Sequence, residues 1–358
     1  MLALIRQLLP VEKCRPNCAT VEYAMRNFFV FILTSLALSA VLCNPVLAET
    51  SPDWADGFNL GGYASAGITI PRAQEAGAAI NEISLILTWQ NESRLSFFGE
   101  IELERPLAWS DDTKFSHKEG HLDLERLYFD YNLAEKVNFR AGRFLTPNSR
   151  WNLLHASPLV WTSTRPLATS LLFPTGTNGA MLFGALPFMN GAFEYKLFGE
   201  LLEDQEQDGD ELQFEHVRGA RFSFKNQSDI GVSLLSFREI GLNAASYRML
   251  GLDFVTHVKG IEISSEAFQR FNTENKDGGS GAYLQTAVPL STVGLNDWYW
   301  TTRLESFQRP DEGSYERWLL GAAWRVKPTQ LLKLEFTGGS GDQPEAPRGF
   351  LASFALFF

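Results

Sequence analysis

The segment between residues 147 and 175 places three basic side chains in an unusually apolar setting. Arg150, His155 and Arg165 stand among Trp151 and Trp161 in a chain that is acidic as a whole. Guanidinium groups in a confined space attract anions, or hold the acidic group of a solute through bidentate hydrogen bonds. A connection this long and this apolar is expected to be buried against another part of the protein. The segment therefore predicts an anion-attracting constriction.

Charged residues on nearby segments complete the predicted constriction. The full set is Arg150, His155, Arg165, Arg126, Asp130, Glu100 and Glu102. In an alternative interpretation, the two loop guanidiniums only pair with carboxylates such as Glu100, Glu102 or Asp130 and pin the loop. The two interpretations can coexist. Alternation along the chain puts further charges of both signs on the same face: Glu194, Lys196, Arg221, Lys225, Asp253, Glu262, Glu266, Arg303, Glu305, Arg325, Lys333 and Glu335.

The elements that would position these residues are strands. Apolar and polar residues alternate with a period of two in segment after segment, as in Trp318, Leu320 and Ala322 against Arg317 and Gly321. This period is typical of strands with one apolar and one polar face. Beyond the first 48 residues, no run approaches the ~18 apolar residues that a membrane helix needs. About sixteen such segments, from 57–70 to 348–358, each approach the roughly 9 to 11 residues of a tilted membrane strand.

The connections indicate how the strands are arranged. Short links such as 90–92 and 327–329 alternate with long polar ones such as 105–120, 203–210 and 339–347, and the longest runs from 147 to 175. Outer-membrane barrels alternate short and long connections in this way. A soluble sandwich of so many strands would leave edges to guard, whereas a closed barrel has none. We predict an all-β fold, a transmembrane antiparallel barrel of about 16 strands with an inward-folding third outside loop.

The first 48 residues have a different composition. Residues 25–48 show a charge, an apolar run and a Val46-x-Ala48 ending, which is the layout of a secretory signal peptide. Residues 1–24 are interpreted as an upstream extension from a mis-assigned start, with translation beginning at Met1 or Met25. Residues 49–358 are then a single barrel domain. The three cysteines, Cys14, Cys18 and Cys43, all precede residue 49.

Charge and motif content exclude several functional classes. The chain has 31 basic and 42 acidic residues, and residues 49–358 keep 27 and 40 of them, which argues against a nucleic-acid partner. We find no metal-binding motif, no cofactor motif and no recognisable nucleophile beside the 5 histidines. The sequence therefore predicts neither a metal, nor a cofactor, nor an enzyme.

The last residues form an alternating strand that ends in an aromatic residue. Phe350, Phe354, Leu356 and Phe358 lie on one parity up to the C-terminus. This pattern resembles the recognition strand that the outer-membrane barrel-assembly machinery reads. The resemblance implies that this machinery is a partner during biogenesis.

A strand ending in Gly142-Arg143-Phe144-Leu145-Thr146-Pro147 follows the run from Glu125 to Tyr131. The pattern G-[RK]-F-x-T-P is similar to the phosphate-selective porin family and its relatives, over about thirty residues. This resemblance, and the likeness of the long third loop to that of general porins, imply a porin-type channel in the outer membrane of a Gram-negative bacterium. The ladder of basic, phosphate-binding residues that this family carries is not evident elsewhere in this chain.

The expected activity is passive diffusion of small polar or anionic solutes through a lumen narrowed by residues 147–175. Outer-membrane lipid would surround the barrel, and analogy with general porins favours a homotrimer. The alternatives are a non-conducting structural barrel and an outer-membrane barrel enzyme. The sequence leaves solute, ion preference, gating and oligomeric state open.

Overall fold

A computed structural model describes residues 56–72, 75–110, 112, 114–203, 212–240, 244–274, 276–310, 313–340 and 347–358. The expected upstream extension and signal peptide, residues 1–48, lie outside the described residues. The regular elements of the described part are almost all strands. No helix among the described residues is long and apolar enough to cross a membrane.

The strands follow one another with short gaps. In chain order they are β1 Phe58–Pro71, β2 Gly77–Gln90, β3 Leu95–Ser110, β4 Lys114–Ser116, β5 His121–Ala134, β6 Val137–Leu145, β7 Gly176–Phe188, β8 Gly191–Leu202, β9 Gln213–Lys225, β10 Ser228–Ile240, β11 Ala245–Val258, β12 Ile261–Asn272, β13 Asp277–Pro289, β14 Trp298–Arg309, β15 Gly313–Lys327, β16 Gln330–Gly339 and β17 Gly349–Phe357. One short helix, α1 (Arg150–Leu153), and the 3-10 turns Ser157–Leu159, Leu167–Thr169 and Ser291–Val293 complete the list.

Each long strand pairs antiparallel with its neighbours in the chain, and the sheet closes on itself. Tyr63 of β1 lies opposite Phe357 of β17, and the pairing continues to Pro71 opposite Gly349. The short strand β4 pairs only with the end of β3. The barrel therefore has 16 strands, as the sequence predicts. In the described part of the chain, each long strand pairs on both of its sides, so the ring has no exposed edge to guard.

The barrel wall has an apolar exposed face and a buried face of mixed character. On β14, Leu304 is 62% exposed, whereas its chain neighbours Arg303 and Glu305 are buried. The same alternation follows from strand geometry, because successive side chains point to opposite sides of a sheet. The predicted parity of the charged residues is therefore realised on this strand.

The sequence misjudges one connection. Residues 105–120 were expected to form a long loop, but β3 continues to Ser110 and β4 forms at 114–116. Gly77 and Ser110 pair at the far end of β2 and β3. Pro106 hides the strand signal in the sequence, because proline has no N–H to donate and is usually a sign that a strand ends.

Candidate functional site

The connection between β6 and β7 is called here the 147–175 loop. Hydrogen bonds from the motif that precedes it hold its two ends together. Thr146 donates its hydroxyl to the carbonyl oxygen of Pro174 (2.5 Å), and its backbone N–H to that of Thr175 (2.9 Å). The Asn152 amide donates to the carbonyl oxygens of Thr146 (2.9 Å) and Thr175 (2.7 Å). Thr146 of the G-[RK]-F-x-T-P pattern therefore joins the two ends of the loop.

The helix α1 is held by a buried carboxylate of the wall. Glu266 on β12 accepts hydrogen bonds from the Ser149 hydroxyl (2.6 Å) and from the backbone N–H groups of Arg150 (3.1 Å) and Trp151 (2.9 Å). The Tyr283 hydroxyl donates to the same carboxylate (2.9 Å). The carboxylate satisfies N–H groups that have no partner at the start of a helix.

The middle of the loop rests on charged residues of β14 and β16. Arg303 donates to the Thr162 hydroxyl (2.9 Å) and to the carbonyl oxygen of Thr164 (2.8 Å). The Lys333 ammonium donates to the Thr162 carbonyl oxygen (3.0 Å), and the backbone N–H of Ser163 donates to Glu335. Both wall cations are buried, so each contact replaces one that water would otherwise make.

The last third of the loop packs through apolar side chains. Leu172 and Phe173 are fully buried, and the Phe173 ring lies 4.9 Å from that of Phe268 on β12. They belong to an apolar cluster with Phe144, Leu167, Ala168, Met181, Phe198, Leu235, Phe237, Met249 and Phe307. The backbone N–H of Leu167 donates to Glu305 (3.0 Å) at the edge of this cluster. The loop is thus fixed by both burial and hydrogen bonds.

The three predicted basic residues of the loop are placed differently from one another. Arg165 donates within the loop, to the Asn152 side chain (2.8 Å) and to the Thr169 carbonyl oxygen (2.6 Å). Arg150 touches the wall through its backbone, at Glu266. His155 lies with Nδ1 3.0 Å from the Asn152 carbonyl oxygen and Nε2 3.5 Å from Glu125. His155 thus approaches a side chain of β5.

Burial lowers the pKa of His155, and the nearby Arg165 guanidinium lowers it further. The imidazole is therefore neutral at neutral pH. Burial also lowers the pKa of Arg165, to about 10, so that this residue keeps its charge. The loop carries a fixed positive charge beside a neutral histidine.

The predicted wall carboxylates accept hydrogen bonds from other residues of the barrel wall. Glu100 accepts from Arg126 and from the Ser84 hydroxyl (2.7 Å), and Glu102 accepts from the Tyr63 hydroxyl (2.7 Å). Asp130 accepts two hydrogen bonds from Arg140, at 2.7 and 2.8 Å. The carboxylates suggested as partners of Arg150 and Arg165 are thus occupied elsewhere.

The residues that do hold the loop were visible in the sequence only as members of the polar face. They are Glu266, Arg303, Glu305, Lys333 and Glu335. Strand parity placed them on the correct side of the wall, but their contacts with the loop span more than 100 positions of sequence. Among the described residues, no group of three or more metal-binding side chains comes together.

Comparisons with known proteins relate this chain to barrels through structure alone. No protein-family profile and no curated protein sequence matches it. An anion-selective porin from Comamonas acidovorans superposes with a TM-score of 0.56 at 13% identity, covering 84% of this chain and 98% of that chain. OmpT of Vibrio cholerae, an outer membrane protein in its trimer form, gives 0.58 at 9% identity over 84% and 99%.

OmpF of Salmonella typhi in complex with daunomycin gives 0.55 at 10% identity over 84% and 97%. At these identities the likeness is one of fold. The chain therefore shares the large closed barrel of these proteins. The comparisons do not single out the phosphate-selective family.

Proposed function

We propose that this protein is a porin-type channel of the outer membrane of a Gram-negative bacterium. The exposed face of the barrel is apolar, as Leu304 and Leu284 show. Such a face is stable in contact with the hydrocarbon of a lipid bilayer. A closed barrel satisfies every backbone group of the wall internally, which is what lipid requires. A ring of 16 strands is wide enough to enclose an aqueous lumen.

The 147–175 loop folds into this lumen and narrows it. The observation that carries the proposal is the contact of the loop with wall residues on the face opposite the apolar one. Ser163, in the middle of the loop, lies 2.7 Å from Ser353 of β17 between their hydroxyl oxygens. Trp161 lies 4.3 Å from Tyr299 of β14 between ring centroids. A loop that stayed outside the barrel would not reach these side chains.

The proposed solutes are small and polar, including anions. The loop guanidiniums of Arg150 and Arg165 contribute positive charge, and the resemblance to phosphate-selective porins points the same way. The trimer form of the similar OmpT supports a homotrimer. The alternating C-terminal strand, with Phe350, Phe354, Leu356 and Phe358, supports delivery by the barrel-assembly machinery.

Single-channel recording in a planar bilayer tests the proposal. We expect stable open steps from the wild type, and larger steps from a variant in which residues 156–166 are replaced by a short glycine-serine linker. An Arg150→Ala, Arg165→Ala variant should lose anion preference, measured as reversal potential in a salt gradient. Absence of conductance from both wild type and linker variant would contradict the channel and favour a structural barrel or an enzyme.

A further inference from the structure

The inner wall is covered unevenly by the loop. Under the loop, the side chains of Arg303 and Glu305 on β14 are 0% and 3% exposed. On the other side of the barrel, Arg126, Arg140 and Asp130 of β5 and β6 keep 19%, 19% and 24% exposure. If the loop lies in the lumen as proposed, the water-filled path runs beside it, past Arg126, Arg140 and Asp130.

Aromatic rings and guanidiniums alternate along this uncovered wall. The rings of Phe98 and Tyr128 stack with centroids 5.3 Å apart and planes 6° apart. Arg126 lies over the Phe98 ring at 4.6 Å, and Arg140 lies over the Tyr128 ring at 3.6 Å. Arg140 also lies 5.3 Å from the Phe183 ring centroid. Rings and carboxylates hold these guanidiniums in place, so they are preorganised donors.

The row of cations continues to Lys196 on β8. Lys196 of β8 lies opposite Phe183 of β7, on the same face of the wall. Lys225 pairs with Glu194 at 3.0 Å, whereas no carboxylate pairs with Lys196 in the part of the chain that the structure describes. Arg140 donates hydrogen bonds from its Nε and one terminal nitrogen to Asp130, which leaves its other terminal nitrogen available for a solute. The Phe183 ring is therefore flanked by two cationic donors.

We infer that Phe183, Arg140, Lys196 and Tyr128 form a binding subsite for small aromatic carboxylates in transit. The carboxylate would accept from Arg140 and Lys196, while the ring of the solute packs against Phe183. The buried Tyr128 ring, stacked on Phe98, holds the Arg140 guanidinium in place. Aromatic pairs contribute beyond their buried area, and hydrogen bonds to charged groups are stronger than neutral ones. This inference rests on the proposed channel and names the class of solute it would select.

Titration of the folded, detergent-solubilised protein with benzoate tests the subsite without requiring conductance. We expect benzoate to bind more tightly than acetate or inorganic phosphate. Phe183→Leu should weaken benzoate binding about fivefold through loss of the ring contact. Lys196→Gln should weaken it about tenfold through loss of a charge-assisted hydrogen bond.

Matched controls are available outside the proposed subsite. Phe193→Leu removes a ring of β8 whose side chain lies on the opposite face of the strand from Lys196, and Lys276→Gln removes an exposed lysine that is paired with Glu274. Both should leave benzoate binding unchanged, and heat-modifiable electrophoretic mobility verifies that every variant is folded. Equal binding of benzoate, acetate and phosphate, or equal effects of control and subsite variants, would overturn the inference. Binding without conductance would retain the subsite and reject the channel.

Discussion

The hydroxyl oxygens of Ser163 and Ser353 lie 2.7 Å apart, although 190 positions of sequence separate them. This contact joins the middle of the 147–175 loop to the strand that closes the barrel. Replacing both serines by cysteine, in a background with Cys14, Cys18 and Cys43 changed to serine, should therefore give a disulfide.

The disulfide tests whether the 147–175 loop keeps one position in the barrel. With the loop already held by Glu266, Arg303 and Lys333, we expect the oxidised and reduced forms to conduct equally. Mass spectrometry detects the disulfide, and single-channel recording with and without reductant compares the two conductances. The single variant Ser163→Cys is the control for side-chain chemistry. A conductance that changes on reduction would show a loop that moves.

Glu266→Gln should loosen the start of the loop. The carboxylate accepts four hydrogen bonds, from the Ser149 and Tyr283 hydroxyls and the N–H groups of residues 150 and 151, and an amide offers a single acceptor oxygen. Loss of two of them costs roughly 2 kcal/mol of stability. Open-channel current noise should rise and the thermal midpoint should fall, whereas Glu262→Gln on the same strand should change neither. A Glu266→Gln variant with unchanged current noise and thermal midpoint would mean that this carboxylate does not hold the loop.

Gly281→Ala should disturb the packing of the loop on β13. An added Cβ would lie 2.7 Å from the Ala168 Cβ and 3.2 Å from a Leu172 methyl carbon. Overpacking of this kind typically costs about 1 to 3 kcal/mol, seen as a lower thermal midpoint. The double variant Ala168→Gly, Gly281→Ala should recover part of the loss. No recovery would mean that the cost arises in the wall and not at the loop contact.

His155 should titrate below the ordinary imidazole value of about 6.5. Burial and Arg165 lower its pKa, so the folded protein favours the neutral form. This contribution to stability is present above about pH 6.5 and is lost as the pH falls towards the lowered pKa. NMR titration of the imidazole measures the shift, and His155→Gln should remove the corresponding step in stability. A midpoint at or above 6.5 would contradict the buried placement of His155.

Strand number and parity could be predicted, because alternation and turn spacing are local properties. Parity put Glu266 and Lys333 on the polar face, and the structure finds them there, buried beneath the loop. Their hydrogen bonds to Trp151 and Thr162 were not predictable, since a strand pattern does not say which part of a loop covers which wall residue. The apolar patch around Phe268 and Phe307 was missed for a related reason. In the sequence, a phenylalanine that faces the barrel interior has the pattern of an ordinary core residue, and only the structure shows that the loop covers it.

Thiol modification during single-channel recording tests the central claim most directly. Asp123 of β5 is 31% exposed on the uncovered wall, and Thr301 of β14 is fully buried. In the cysteine-to-serine background, a charged methanethiosulfonate reagent should reduce the conductance of an Asp123→Cys channel and leave a Thr301→Cys channel unchanged. A Thr301→Cys channel that is modified while Asp123→Cys is not, or a protein that never conducts, would contradict a channel that runs beside an inward-folded loop.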